Sequence, residues 1–321
     1  MKNRDNGNFW LYLSCFFINL IMTTVFAEIQ LTEEERKSVA VKKEFIAKLP
    51  KGTVSVIDQP YVEPMFVGTK FGSTQDLDLY VPAGKGPFPV ILWMHGGSWH
   101  SGNKESCGFV SFIFSGFAVA SVNYRLTGDA PFPAQIEDVF SALEWIRVNS
   151  GQYNLDPDKI GVMGYSAGAL LAALVVQTEV TGEFVNSSGR FPRVKAAAVW
   201  AGVSDLNRET GDWPKSSFIW NPQDTFNKTF FQGGVNDPKT AKRASPMSYV
   251  RPGLPPIIIV HGEKDEIVPQ GHAISFSEAL AKEGNKVSLL LEAGRGHGNI
   301  STEVTFRKTI EFFKEAFGEK K

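Results

Sequence analysis

The stretch from Ile160 to Leu170 constrains this chain more than any other. Residues 160–163 are apolar or small, as in a buried strand, and residues 169–174 are typical of the opening of a helix. Between them, residues 164–168 have the sequence Gly-Tyr-Ser-Ala-Gly. Glycines at both ends of such a pentapeptide allow a strand to turn sharply into a helix with the serine at the apex. The sequence therefore predicts that Ser166 is presented as a nucleophile.

Apolar runs and helical patterns alternate along the rest of the chain. The runs predict strands at residues 53–67, 75–81, 89–94, 117–122, 194–200, 256–260 and 286–291. Apolar residues at helical spacing predict helices at residues 33–49, 134–148, 273–280 and 302–317. Residues 156–158 predict a turn that leads into the strand before the serine. This alternation predicts an α/β fold with a mostly parallel sheet and helices on both faces, whose site lies at the carboxyl ends of the strands.

The N-terminal residues have the pattern of a targeting segment. Two basic residues precede an apolar run at residues 9–26, and residues 25–27 are Val-Phe-Ala, with small residues where a signal peptidase cuts. We expect a signal peptide at residues 1–27, cleaved after Ala27, and a secreted or periplasmic mature protein. An uncleaved membrane anchor is the alternative, because the apolar run approaches the length that spans a bilayer.

No linker divides residues 28–321, which we expect to form a single domain. Residues 203–253 interrupt the alternation of strands and helices, since they are rich in Asn, Asp, Pro and aromatic residues. Their aromatic content argues against disorder. They form either a surface excursion packed on its own aromatic side chains or a cap that walls a pocket over Ser166.

Composition excludes several classes of partner. The chain is 43% apolar and 21% charged, as expected of a globular protein with a core, and its formal net charge is −1. This charge gives no electrostatic basis for binding nucleic acid or an anionic membrane surface. The two cysteines, Cys15 and Cys107, are too few for a disulfide framework or a four-ligand zinc site.

A serine hydroxyl becomes a nucleophile only with a base within hydrogen-bond reach, and that base needs an orienting acid. His297 lies on a glycine-flanked loop after one of the last predicted strands, and Asp265 lies just past the strand before it. The chain order Ser166, Asp265, His297 is the order that this kind of strand–turn–helix site uses. We therefore predict these three residues as nucleophile, acid and base.

Other residues near these positions offer alternatives. Asp265 could instead cap a turn, in which case Glu263 or Glu266 would be the acid. His297 could be a surface loop histidine. His261 directly follows its strand and is expected to be a packed, hydrogen-bonded core histidine.

Attack on a carbonyl carbon also builds an oxyanion, which preorganised backbone N–H groups stabilise. Residues 95–99 have the sequence His-Gly-Gly-Ser-Trp and follow an apolar strand. We assign the oxyanion hole to the N–H groups of Gly97, Ser98 and Ala167, and we expect His95 to brace this loop. The alternative is a glycine turn between a strand and a helix.

Aromatic side chains are candidates for contact with substrate, because their faces stack on sugars and phenolic rings. We predict that the substrate pocket includes Trp99, Tyr165, Trp213 and Trp220.

Five motifs together resemble the α/β-hydrolases. They are HGGSW at 95–99, NYR at 123–125, GYSAG at 164–168, HGEKD at 261–265 and GHG at 296–298. The resemblance covers roughly residues 60–317 and is closest to the acetyl esterase/lipase-like carboxylesterases related to hormone-sensitive lipase, which include secreted bacterial acetylxylan and feruloyl esterases. It implies the α/β-hydrolase fold. Ser98 is a departure, since many relatives have a third glycine there, and its side chain would narrow the pocket floor or favour small acyl groups.

Motifs and resemblance together predict a secreted serine carboxylesterase. We expect a small or polymer-linked ester as substrate, with plant cell-wall acetyl or feruloyl esters as the leading class, and neither a metal nor an organic cofactor. Membrane contact is expected only if the N-terminal segment is uncleaved. Two alternatives stay open, namely an amidase or peptidase that uses the same three residues, and a hydrolase-like protein that binds without catalysis.

Overall fold

The structure is a computed structural model that describes residues 33–62, 75–184, 193–207, 213, 229–231 and 237–319. The predicted signal segment and its cleavage site lie outside these residues. By its internal contacts the chain divides into two units, residues 1–44 and 45–321. In the first unit the described residues are helical, and the second unit carries the sheet.

An eight-stranded sheet organises the second unit. The strands are β1 (Val54–Pro60), β2 (Asp76–Val81), β3 (Phe88–Met94), β4 (Ala118–Val122), β5 (Leu155–Tyr165), β6 (Val194–Trp200), β7 (Ile257–Gly262) and β8 (Val287–Glu292). Their order in the sheet is β1-β2-β4-β3-β5-β6-β7-β8. β2 pairs antiparallel with β1 and β4, and all other pairs are parallel.

Helices connect the strands, as parallel pairing requires. The described α-helices are α1 (Glu33–Ala47), α2 (Val110–Phe114), α3 (Ala134–Val148), α4 (Ala167–Thr178), α5 (Pro238–Arg243), α6 (Gly271–Lys282) and α7 (Glu303–Ala316). Within the described part of the chain, no helix combines the length and apolarity that crossing a bilayer requires.

Both faces of the sheet are covered. Along β3, Val90 and Leu92 belong to a core cluster with residues of α3, α4 and α6, whereas Ile91 and Trp93 belong to a second cluster with residues of α2 and α7. Because successive side chains of a strand point to opposite faces, a strand covered on both sides must be apolar throughout. Residues 89–94 are therefore continuously apolar because both faces of β3 are buried. The covered, mostly parallel sheet confirms the predicted α/β fold.

Most predicted elements match the observed ones within a few residues. The strand predicted at residues 53–67 ends at Pro60 in the structure, and residues 63–67 lie outside the described part of the chain. There are three further differences. Residues 156–158 were predicted as a turn but lie inside β5, where Phe88 pairs with Leu155 and the regular ladder begins only at Ile160. The side chain of Asp156 accepts the N–H of Asp158, so a local turn is built into an irregular strand. The short helices α2 and α5 were not predicted, because five or six residues are too few for a periodic signal.

Helix α4 is tied to the next strand by a buried carboxylate. Glu179, at the C-terminal cap of α4, is 5% exposed and accepts the N–H of Val194, the first residue of β6, at 2.6 Å. Burial raises the pKa of Glu179 to about 7, although that hydrogen bond and the nearby Arg193 and Arg251 lower it. The folded chain therefore holds a proton on Glu179 in a pH range where the unfolded chain releases it.

We predict that Glu179 lowers the stability of the protein as the pH rises from about 4.5 to about 7. The folded pKa lies above the unfolded value of 4.5, so stability is highest below that value and is lost as the pH rises through about 7. The loss is at most about 3 kcal/mol. Urea denaturation as a function of pH should show it in the wild type but not in Glu179→Gln. Glu283→Gln, on an exposed side chain, is the control and should keep the wild-type pH dependence.

Candidate active site

The turn at Ser166 is a strained nucleophile elbow. Ser166 follows β5 directly and is the N-cap of α4, with φ 54° and ψ −116°. A Cβ on Gly164 would lie 2.1 Å from the carbonyl oxygen of Gly168, and a Cβ on Gly168 would lie 2.2 Å from that of Met94. Both glycines are therefore required by close backbone approach, as the motif predicts. The N–H of Ser166 donates to the carbonyl of Trp200 in β6 at 2.8 Å, which fixes the turn to the sheet.

The structure brings Ser166, His297 and Asp265 into one hydrogen-bonded chain. His297 Nε2 lies 2.9 Å from Ser166 Oγ, and His297 Nδ1 lies 2.7 Å from Asp265 Oδ2. A carboxylate only accepts, so Nδ1 carries the proton and Nε2 is free to accept the serine O–H. This tautomer makes His297 a base toward Ser166.

Asp265 is held as a carboxylate. Burial opposes its ionisation, but hydrogen bonds from His261, His297 and the N–H of Val268 outweigh burial and hold the pKa of Asp265 well below its usual value. Its Oδ1 accepts the N–H groups of Ile267 and Val268 at 2.9 and 2.8 Å. Asp265 therefore keeps a negative charge facing the imidazole near neutral pH, and it caps its turn while doing so.

Several contacts fix the loop that carries His297. The hydroxyl of Tyr165 donates to the carbonyl of His297, and burial together with the charge of Asp265 raises the pKa of Tyr165 to about 12, so the donor keeps its proton. Glu263 accepts the N–H of Gly294 at 2.9 Å. The histidine loop is thus tied both to the elbow and to the end of β7.

The glycine-rich loop after β3 presents free backbone donors. Gly97, Ser98 and Trp99 all have positive φ, at 117°, 51° and 61°. No described residue accepts a hydrogen bond from the N–H groups of Gly97, Ser98 or Ala167. Backbone N–H groups without protein acceptors, at a tight loop and a helix N-terminus, are donors from which an oxyanion hole can be built.

His95 lies behind this loop, where the sequence predicts a brace. Its ring is buried, its Nδ1 donates to the carbonyl of Gly96 at 2.6 Å, and it stacks on Tyr124 with 4.3 Å between ring centroids. The hydroxyl of Tyr124 donates to the carbonyl of His95 at 2.8 Å. Burial lowers the pKa of His95 to about 4, so the ring is neutral near pH 7.

The predicted pocket residues have different surroundings. Trp99 is 2% exposed and packs on Phe230, which corrects the expectation that its ring is open to a sugar or a phenolic group. Trp213 is nearly buried against His272, and Tyr165 is half-buried beside His297. Trp220 lies outside the described residues. A place in the pocket stays a prediction for these three.

Parts of the stretch at residues 203–253 pack on the main core. Phe230 is fully buried between Trp99 and Phe132, and the hydroxyl of Thr229 donates to that of Thr127 at 2.8 Å. These contacts lie next to the loop that follows β3, since the carbonyl of Trp99 accepts the N–H of Thr127. The two alternatives for this stretch, excursion or cap, stay predictions.

A cluster of three carboxylates outside the candidate active site surrounds the ammonium group of a lysine. Asp58, Asp78 and Glu105 place oxygens close enough together to hold a metal ion. Lys104, which is 2% exposed, pairs with Asp58 and also lies 3.4 Å from Asp78 and 3.8 Å from Glu105. The ammonium group therefore takes the place of a metal ion, and we interpret this cluster as structural.

We predict that Gly262, which ends β7, is needed to place His297. A Cβ there would lie 2.5 Å from the carbonyl oxygen of Arg295, so the backbone before His297 would have to move. Displacing a catalytic group by about 1 Å costs about 100-fold in rate. Gly262→Ala should therefore lower the rate at which a fluorophosphonate labels Ser166 by about that factor. Gly298→Ala is the matched control, because a Cβ there meets nothing within 4 Å. Equal labelling rates in the two variants would contradict the prediction.

Comparison with known proteins places the chain in a family. The BD-FAE family model matches residues 77–280. Esterase LipQ of Mycobacterium tuberculosis is 32% identical over 235 residues, which cover 69% of this chain and 52% of LipQ. The chain spans about half the length of the first curated relatives it matches.

Solved structures agree with this placement. A truncated carbohydrate esterase from gut microbiota superposes with a TM-score of 0.71 and 26% identity, covering 83% of this chain and 97% of that one. The apo form of Thermogutta terrifontis esterase 2 superposes with a TM-score of 0.62 and 26% identity, covering 80% and 92%. The chain belongs to the BD-FAE family, and its fold is the α/β-hydrolase fold.

Proposed function

We propose that this protein is a serine carboxylesterase that hydrolyses carboxylic esters through Ser166, His297 and Asp265. The observation that carries the proposal is the continuous hydrogen-bonded chain from Ser166 Oγ through both ring nitrogens of His297 to Asp265. The family and the relatives named esterases support the same class of reaction.

In the first half of the reaction, Ser166 Oγ attacks the carbonyl carbon of the ester while His297 Nε2 takes the hydroxyl proton. The negative charge that develops on the carbonyl oxygen is stabilised by the N–H groups of Gly97, Ser98 and Ala167. Asp265 stabilises the imidazolium that forms, because it stays ionised. His297 then gives the proton to the leaving alkoxide, and an acyl-enzyme ester on Ser166 remains.

In the second half, His297 Nε2 takes a proton from water, and the resulting hydroxide attacks the acyl-enzyme carbonyl. The same backbone donors stabilise the second oxyanion. Collapse of this intermediate returns the proton from His297 to Ser166 Oγ and releases the carboxylic acid. The proton exchanged between Ser166 Oγ and His297 Nε2 therefore moves over one hydrogen bond of 2.9 Å that the fold already holds.

We propose short acyl groups, carried on plant cell-wall carbohydrate, as the substrate class. One solved neighbour is a carbohydrate esterase from gut microbiota, and Thermogutta terrifontis esterase 2 has been solved with butyrate and with propionate bound. A serine at position 98 supports the same class, because its side chain takes up room where many relatives have glycine.

We predict that Ser166→Ala lowers kcat for p-nitrophenyl acetate by about 10⁴-fold or more, because removing the nucleophile of such a group costs this much. The wild type should hydrolyse acetyl, propionyl and butyryl esters faster than octanoyl esters, and should release acetate from acetylated xylan. A fluorophosphonate should add one adduct to the wild type and none to the variant. Activity and adduct mass are measured on the same preparations.

The matched control is Ser288→Ala, which removes an exposed hydroxyl on β8 and should leave both readouts unchanged. Faster hydrolysis of p-nitroacetanilide than of p-nitrophenyl acetate would assign the site to amides. A wild type that neither takes up the adduct nor hydrolyses any ester would indicate a binding protein with this fold.

We also propose that the mature protein is exported, on the basis of the N-terminal sequence pattern alone. Expression of the full chain in a bacterium should yield periplasmic or secreted protein whose intact mass corresponds to a first residue Glu28. Replacing Ala27 by Trp, a bulky residue at the cleavage position, should block processing. Full-length protein retained in the membrane fraction of the wild type would support the anchor instead.

A further inference from the structure

A second histidine reaches the carboxylate of Asp265. His261 lies near the end of β7 with no exposed surface, and its Nε2 is 2.8 Å from the carbonyl oxygen of Val268 and 3.3 Å from Asp265 Oδ2. Because a carbonyl oxygen only accepts, Nε2 carries a hydrogen atom. The N–H therefore donates to the carbonyl of Val268, and the carboxylate is its second neighbour at 3.3 Å.

The two oxygens of Asp265 are held in different ways. Oδ1 accepts the backbone N–H groups of Ile267 and Val268, which are fixed by the turn itself. Oδ2, the oxygen that faces the active-site base, receives side-chain donors, His297 Nδ1 at 2.7 Å and His261 Nε2 at 3.3 Å. If His261 were removed, rotation of the carboxylate would be opposed at Oδ2 by His297 alone.

The opposite edge of the His261 ring is also buried. Its Nδ1 and the Nε2 of the buried His272 have no hydrogen-bond partner among the described residues. Burial, and then the charge that His261 would carry, lowers the pKa of His272 to about 3, so His272 is neutral at working pH. The groups that face Asp265 are then His261 on β7, His297 on its loop, Tyr165 on β5 and neutral His272 on α6.

We propose that His261 is a positioning residue for the hydrolytic reaction. Its N–H holds Asp265 Oδ2 in line with His297 Nδ1 and stabilises the negative charge of the Asp265 carboxylate. The proposal rests on the proposed function, because it assigns His261 to the same reaction. It also explains why a polar side chain stands at this fully buried position, where an aliphatic residue would fill the same space.

The test compares His261→Leu, which removes the donor, with His261→Gln, whose amide nitrogen reaches about as far as Nε2. In the leucine variant kcat should fall about tenfold, the equivalent of one hydrogen bond to a charged group. The acidic limb of kcat against pH should move to higher pH, because a carboxylate with fewer donors is a stronger base and holds the proton on His297 more tightly. The glutamine variant should restore both readouts toward the wild type.

His272→Asn is the matched control, since it changes a buried histidine that makes no hydrogen bond to Asp265. This variant should lower the free energy of unfolding and leave the dependence of kcat on pH unchanged. Proton NMR gives an independent readout, because the low-field resonance of the His297 Nδ1–H reports its hydrogen bond to Asp265. That resonance should shift in His261→Leu and return in His261→Gln.

A purely packing role for His261 would overturn the proposal. It would appear as equal losses in the leucine and glutamine variants, with the wild-type pH profile and an unmoved resonance. If His261→Leu does not fold, His261→Asn, whose amide is too short to reach Oδ2, takes its place in the comparison. A wild type without esterase activity would overturn the proposed function, whereas the NMR comparison would still decide whether His261 holds Asp265.

Discussion

The close approach of backbone to backbone around Ser166 is the constraint on which the rest of the site depends. Gly164 touches the carbonyl of Gly168 across the turn, and Gly168 in turn lies against Met94 at the end of β3. This contact brings the loop after β3 next to the first turn of α4. The loop that carries the free N–H groups of Gly97 and Ser98 therefore begins beside the N-terminus of α4, although about 70 residues separate the two segments in the chain.

A second set of contacts brings the histidine to this turn. Gly262 leaves room for the carbonyl of Arg295, Glu263 accepts the N–H of Gly294, and Tyr165 donates to the carbonyl of His297. Tyr165, which precedes Ser166, thus holds the loop that carries His297. Backbone packing and these hydrogen bonds set the geometry of the serine–histidine pair. The imidazole is therefore already positioned before substrate binds, and binding does not have to supply the entropy cost of ordering it.

Much of the fold and site was predictable from sequence because the relevant constraints are local. The apolar run at 89–94 and the helical pattern at 134–148 predict their elements, and the glycines at 164 and 168 predict the elbow. The first part of β5, residues 155–159, was not predicted as strand because proline and aspartate favour a turn. That turn does form, but within the strand. Trp99 was expected near substrate, but its neighbour Phe230 comes from a stretch whose packing no local pattern encodes.

The sequence by itself determined the order of strands and helices. It also predicted Ser166, His297 and Asp265 as the reacting residues and the 95–99 loop as a source of backbone donors. These follow from periodicity, from the steric needs of a turn and from the end of each strand. Only the tertiary structure decided the distances between those residues, the place of Tyr165 against the histidine loop and the contact of His261 with Asp265. The first two kinds of contact join segments far apart in the chain. His261 lies only four residues from Asp265, but a buried polar side chain has no sequence signal that distinguishes packing from positioning.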